Sequence, residues 1–217
     1  MPGTGRYFNS KGRGFSVEHL NTLLTAGAVL LLVICLWVVF AIRNASIPKH
    51  CHKKAAGMLK KYARIRNFKV LSDVDLKIGE RGAHFDDILV GFFGILFVTT
   101  LDETASYYGT EREERWTVVN KEKRSYFPNP VKQGVEMVDV VRTIFSKNDV
   151  YNIQMEHVVL FTGWDKKVET FIPSGLPVYR KKELKQYLMK TKFEKDNDVD
   201  VERLCALLEQ YRVSEKQ

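Results

Sequence analysis

At 217 residues, 45 % of them hydrophobic, the chain is long enough for one domain with a real core and too apolar for a disordered polyelectrolyte. Three cysteines without C-x-x-C spacing exclude a disulfide framework and a thiolate metal cluster. The formal charge of +8 is concentrated: Arg43 to Arg66 holds eight bases and no acid, whereas the residues beyond Arg66 hold 23 bases against 25 acids, which argues against a basic nucleic-acid platform in the body.

Residues 1–22 read as a short glycine-containing tail. Residues 23–42, LLTAGAVLLLVICLWVVFAI, carry no charge. At about 1.5 Å of rise per residue this run matches the roughly 30 Å of a bilayer core. A cleaved signal has an apolar region of about 7–15 residues and a small-x-small exit, whereas Arg43 follows this longer run directly. The expectation is a single membrane-spanning helix. The tail carries Arg6, Lys11 and Arg13, offset by Glu18, against the eight bases behind the helix. The positive-inside bias therefore places the C-terminal body in the cytoplasm, at the cell membrane, with the tail outside. Asn44-Ala45-Ser46 has the form of a glycosylation acceptor, but it abuts the helix end on the cytoplasmic side.

Residues 43–66 form a basic juxtamembrane segment and a first helix. Ala55, Ala56, Met58, Leu59, Tyr62 and Ala63 recur at helical spacing among lysines. Lys53, Lys54, Lys60 and Lys61 either fix topology or face anionic lipid headgroups, at about 1 kcal/mol per close base. His50-Cys51-His52 resembles a ligand cluster, yet neighbours on a helix point about 100° apart and cannot converge on one ion. Cys51 reads better as a surface or acylatable thiol.

From 67 to 190 the pattern is that of one α/β domain. Phe68 to Leu71 predicts a short strand. His84 to Val90 and Gly94 to Leu101, joined across Gly91-Phe92-Phe93-Gly94, predict a β-hairpin. Ser106 to Gly109 and Arg115 to Val119 are weaker strand candidates. Pro128-Asn129-Pro130 breaks the chain and starts a helix whose buried face is Val131, Val135, Val138, Val141, Ile144 and Phe145. Val158 to Phe161 predicts a central strand buried on both faces, and Val168 to Ile172 a further strand. Lys181 to Met189 predicts a helix, and the 191–217 segment a terminal helix from Val199 to Tyr211 with a tail.

The hairpin with Asp86 and Gly94, then Trp116, then Phe127-Pro128-Asn129-Pro130 with Gln133, then Val158 to Phe161 and the Glu183-Leu184 helix together resemble the bacterial nuclease-related domain family. The resemblance spans roughly Lys53 to Met189 and rests on the ordered set. It implies a mixed-sheet α/β/α sandwich like the core of the PD-(D/E)xK nucleases. In that core an aspartate begins one strand, and a glutamate and a lysine lie two residues apart on the next. Two carboxylates hold Mg²⁺ or Mn²⁺, which activates a water that the lysine orients. Asp86 stands at the aspartate position and Gln133 at the family's glutamine. Thr99 stands where the glutamate belongs, Leu101 where the lysine belongs, and His52 nearest the leading-helix glutamate.

Asp102, three residues beyond Thr99, should face the opposite side of the strand, and Glu103 lies about 13 Å farther along it. Neither readily completes a site whose metal–oxygen bonds are about 2.1 Å. Each matched residue also has a structural reading. Asp86 can cap a turn or pair with Arg81, and Gln133 can satisfy first-turn backbone groups. Trp116 and Phe127 can be core, and Arg180, Lys181, Lys182 and Lys185 a solvated helix face. The resulting expectation is a single-pass membrane protein with a catalytically degenerate, nuclease-related cytoplasmic domain that binds or scaffolds. The alternative is an active divalent-metal nuclease with a rearranged site. Partners are the membrane through 23–42, anionic headgroups and unidentified proteins; the near-neutral charge of the body argues against tight nucleic-acid binding without excluding it.

Overall fold

The structure is a computed structural model describing residues 27, 29–31, 33–35, 47–163 and 168–213, with the backbone alone for 47–54. It divides into two units, Met1–Ser46 and Ile47–Gln217. In the first, Gly27, Val29 to Leu31 and Val33 to Cys35 are helical and exposed. Most of the expected span 23–42 and the Asn44-Ala45-Ser46 triplet lie outside the described residues, among which no helix is long and apolar enough to cross a membrane.

The second unit opens with α1 (Ile47–Arg66), followed by strands β1 (Lys69–Ile78), β2 (Arg81–Gly91) and β3 (Gly94–Leu101). Helix α1 turns Ala55, Leu59 and Ala63 inward, while Lys60, Lys61 and Arg64 are exposed. The hairpin forms as expected. Gly91 pairs with Gly94 around the two-residue loop Phe92-Phe93. Gly94 has φ +128°, and a Cβ there would lie 2.3 Å from the Gln154 carbonyl oxygen, so only glycine closes this turn. Strand β1 is longer than expected. Asp73, at φ +55°, interrupts its alternation, so Val74 and Leu76 but not Asp75 enter the core.

Next come β4 (Ser106–Tyr108), β5 (Arg115–Asn120) and β6 (Lys123–Pro128), then α2 (Pro130–Lys147) and β7 (Met155–Phe161). Strands β8 (Glu169–Phe171) and β9 (Val178–Arg180), α3 (Lys181–Leu188) and α4 (Val201–Gln210) complete the unit. The main sheet runs β1-β2-β3-β7-β9, antiparallel through the hairpin and parallel across β3-β7-β9. A second mixed sheet, β6-β5-β4-β8, is inserted between β3 and α2 and completed by β8.

Alternation along the main strands divides the core between two faces. Ile88, Val90, Ile95 and Phe97 meet Val138, Val141, Ile144 and Phe145 of α2 and Leu204 and Leu208 of α4. Leu89, Leu96, Val98, Val158 and Leu160 meet Ala55, Leu59 and Ala63 of α1 and Leu184 of α3. Helices thus cover both faces of a mixed sheet, an arrangement that fits a nuclease-like core. The expected buried face of α2 needs one correction. Val135 is 58 % exposed, and Gly134 is buried beside the sheet in its place.

Candidate functional site

Asp86 lies on β2 one residue past the Asp87–Val98 pair, so the register carries it opposite Thr99 on β3. Its carboxylate bonds to the next residue along. Asp86 Oδ2 accepts from Thr100 N at 2.5 Å and from Thr100 Oγ1 at 3.1 Å. His84 Nε2 is 3.7 Å from Asp86 Oδ1, and His84 Nδ1 is 2.9 Å from Asp75 Oδ1. Asp73, Asp75 and His84 bring ligand atoms within 4.8 Å of one another on the exposed surface.

Thr99 has a different partner. Its Oγ1 is hydrogen-bonded to His157 Nε2 on β7 at 2.9 Å. Burial pushes the imidazole down to about 4, so it is neutral near pH 7. Gly134 on α2 makes room for this ring: a Cβ there would lie 1.9 Å from His157 Nδ1. Thr99 and Thr100 are consecutive on one strand and face opposite ways. The Thr99–His157 bond therefore lies on the α2 face, and Thr100 lies on the side of Val98 and Leu160. Leu101 packs with Trp116, Val131, Val159 and Phe127.

Gln133 is exposed in the first turn of α2, where its backbone N–H donates to Asn129 O at 3.0 Å. The cap itself is Asn129, which is buried. Its Oδ1 accepts from Val131 N at 3.0 Å, and its Nδ2 donates to Thr110 O and Glu113 O at 3.1 and 2.8 Å. Trp116 is fully buried and donates Nε1 to Thr110 O at 3.0 Å. Glu103 is committed to the second sheet, where its Oε1 accepts from Asn120 Nδ2 at 2.7 Å. Asp102 and Glu103 lie beyond the end of β3 and raise the Tyr107 hydroxyl, after the larger effect of burial.

The Arg180 group is only partly solvated. Arg180 Nη2 donates to Val168 O at 2.9 Å, and Lys181 Nζ to Thr162 O at 3.1 Å, while Lys182 and Lys185 are exposed. Arg180 also lines a cavity of about 400 Å³ with Tyr179, Tyr187 and Lys190. The side chains of His50, Cys51, His52, Lys53 and Lys54 lie outside the described residues. His157 has one signal in the sequence, a polar residue just before the apolar run Val158 to Phe161.

The family model of the nuclease-related domain matches residues 49–162, from α1 to the end of β7. The chain belongs to the nuclease-related domain family. No curated protein and no solved structure matches it.

A divalent metal is the group this fold family implies. Mg²⁺ requires near-octahedral oxygen ligands at about 2.0–2.1 Å, with carboxylates among them. Where the resemblance implies the metal ligands and the lysine, the chain has Asp86, the Thr99 hydroxyl bonded to a neutral imidazole, and the Leu101 side chain. That described donor set does not fit the ion.

Proposed function

We propose that this nuclease-related domain is catalytically degenerate and serves as a binding or scaffolding module at the cytoplasmic face of the cell membrane. The observation that carries this reading is the Thr99–His157 pair. The position that should hold an anion is occupied by a hydroxyl bonded to an uncharged ring, and the lysine position by Leu101 in an apolar cluster. A second carboxylate and an ammonium are what metal-assisted phosphodiester cleavage uses to grip the ion and orient water.

The anchor is part of the same proposal. It is supported by the uncharged 23–42 run and by the exposure of Val29, Leu30, Leu31, Val33 and Ile34. Lys60 and Lys61 on the outer side of α1, with Lys53 and Lys54 before them in sequence, supply charge for anionic headgroups. The test is cleavage of labelled single- and double-stranded DNA by the full chain in nanodiscs with Mg²⁺ or Mn²⁺. The expected result is no cleavage above that of Asp86→Ala. Metal-dependent cleavage abolished by Asp86→Ala would overturn the reading. The second reading, an active nuclease with a rearranged metal site, draws on Asp73, Asp75 and His84 beside Asp86. It predicts cleavage that His84→Ala also removes.

A further inference from the structure

The inner face of the second sheet is core: Trp116, Val118 and Tyr107 are buried there. Its outer face carries an ordered row of rings. Tyr126 on β6 pairs with Thr117 on β5, Thr117 with Tyr108 on β4, and Tyr108 with Phe171 on β8. Directly paired residues share a face, so these four side chains stand in one line across all four strands. Tyr126 is 56 % exposed, Tyr108 41 % and Phe171 56 %, whereas Phe85, Phe97 and Phe161 of the main sheet are buried. Tyr108 and Phe171 are stacked, with centroids 4.5 Å apart and planes within 2°. Thr117 separates Tyr108 from Tyr126 by two strand spacings, roughly 9.6 Å, which leaves room for one flat ring above the threonine.

Two cations flank the Tyr126 end on the same face. Arg115 lies two residues before Thr117 and donates Nη2 to Tyr126 O at 3.2 Å, and Arg124 lies two before Tyr126. Among the described residues neither is paired with a carboxylate. Glu169, at the opposite edge of the sheet, accepts from Ser106 Oγ at 2.9 Å. Nearby, Glu113 accepts from Thr110 N and Glu114 pairs with Lys132.

We propose that this outer face binds single-stranded nucleic acid, with bases stacked on Tyr108, Phe171 and Tyr126 and phosphates at Arg115 and Arg124. Aromatic platforms on open sheets bind unpaired bases in this way, because every base offers a π face and the backbone beside it is anionic. A neutral glycan could use the rings but gives the arginines no partner. The mildly acidic body is consistent with a surface that binds by stacking rather than by charge. The proposal rests on the binding-module reading and gives that module a ligand, on a sheet that carries neither Asp86 nor Thr99.

The test is fluorescence anisotropy of a labelled single-stranded oligothymidine with the full chain in neutral-lipid nanodiscs and excess EDTA, so that binding is read without cleavage. Tyr108→Ala and Tyr126→Ala should each weaken binding about tenfold, while Tyr108→Phe and Tyr126→Phe should preserve it. Two phosphate contacts predict a log–log salt slope of about −1.4 for a single strand, falling by about half in Arg124→Gln. Duplex DNA should compete poorly. Equal competition by duplex, or affinity untouched by the tyrosine substitutions, would overturn the proposal. A steep slope with intact tyrosine variants would assign binding to the 43–66 bases and overturn it as well. Self-association lost in Tyr108→Ala, without oligonucleotide binding, would assign the face to a second copy. Circular dichroism checks that each variant is folded. Cleavage is scored separately with metal, so loss of the degenerate reading and loss of this one are distinguishable.

Discussion

Thr99 Oγ1 on β3 and His157 Nε2 on β7 are hydrogen-bonded at 2.9 Å across a parallel strand pair. The bond joins a hydroxyl to an uncharged ring, and it ties the hairpin to α2 through the ring beside Gly134.

The imidazole makes stability depend on acid. Burial holds it at about 4 in the folded protein, against 6.5 as an ordinary value. The unfolded chain therefore takes up a proton between about pH 6.5 and about pH 4 that the folded chain refuses. The contribution is full above about 6.5 and is lost as pH falls through that window, by about 3 kcal/mol in all. Urea unfolding of the wild type and of His157→Asn across this range should show the slope in the first and not in the second. Glu156 acts at lower pH. Burial raises its carboxyl, but bonds from Lys192, Tyr187 and Gln154 outweigh that and hold it below the usual value, so its contribution persists farther into acid.

Gly134→Ala tests the same contact sterically. The added methyl would lie 1.9 Å from a ring atom wedged between helix and sheet, which cannot yield as a flexible chain end would. Alanine gains up to about 1 kcal/mol of helix propensity at an interior position. Overpacking of about 2–3 kcal/mol outweighs that gain, so the expected change is a net loss of about 1–2 kcal/mol in chemical unfolding. In a His157→Ser background most of the loss should vanish, as a double-mutant cycle would show.

Asn129→Ala should cost more than an ordinary cap. Its Oδ1 caps α2 through Val131 N, and its Nδ2 holds Thr110 O and Glu113 O of the β4–β5 connection. Removing a cap costs about 0.5–2 kcal/mol, and a carbonyl left without its donor about 1 more. A loss of about 2–3 kcal/mol in urea unfolding is expected. Asn129→Asp keeps the cap oxygen but turns a second acceptor toward the carbonyls of Thr110 and Glu113 in a buried site, so it should be at least as costly as alanine.

The parts readable in the sequence were those whose signal is local. The β2–β3 hairpin follows from two apolar runs around Gly91 and Gly94, and α2 from Pro128-Asn129-Pro130 and its apolar spacing. Strand β6 carries no sequence signal because it is an edge strand, and five of its six residues are exposed, so no alternation marks it. Only four residues of the β1 region show a strand pattern in the sequence, because Asp73 at positive φ breaks the period. Thr99 and His157 are 58 residues apart, and only the β3–β7 register brings them together. The Tyr126-Thr117-Tyr108-Phe171 row is hidden for the same reason, since it is a property of pairing across four strands.

Installing the residues that the family resemblance implies at positions 99 and 101 should not build a metal site. Thr99→Glu would place its carboxylate beside His157, on the face opposite Thr100, the residue that holds the Asp86 carboxylate. Leu101→Lys would take a partly buried aliphatic chain away from the cluster of Trp116, Val131 and Val159 and carry its ammonium outward to solvent, at a loss of about 1 kcal/mol of packing. The double variant is therefore expected to be destabilised and to cleave no DNA with Mn²⁺. Thr99→Glu alone should raise the His157 pKa, an upward shift visible in an NMR titration of the ring, because a nearby anion favours the imidazolium. Thr100→Glu is the change that brings a second carboxylate to Asp86. By Mn²⁺ titration it should bind the ion more tightly than either the wild type or Thr99→Glu. The opposite order, with Thr99→Glu the tighter binder, would show that the Asp86 carboxylate turns toward the α2 face and that the resemblance had the geometry right.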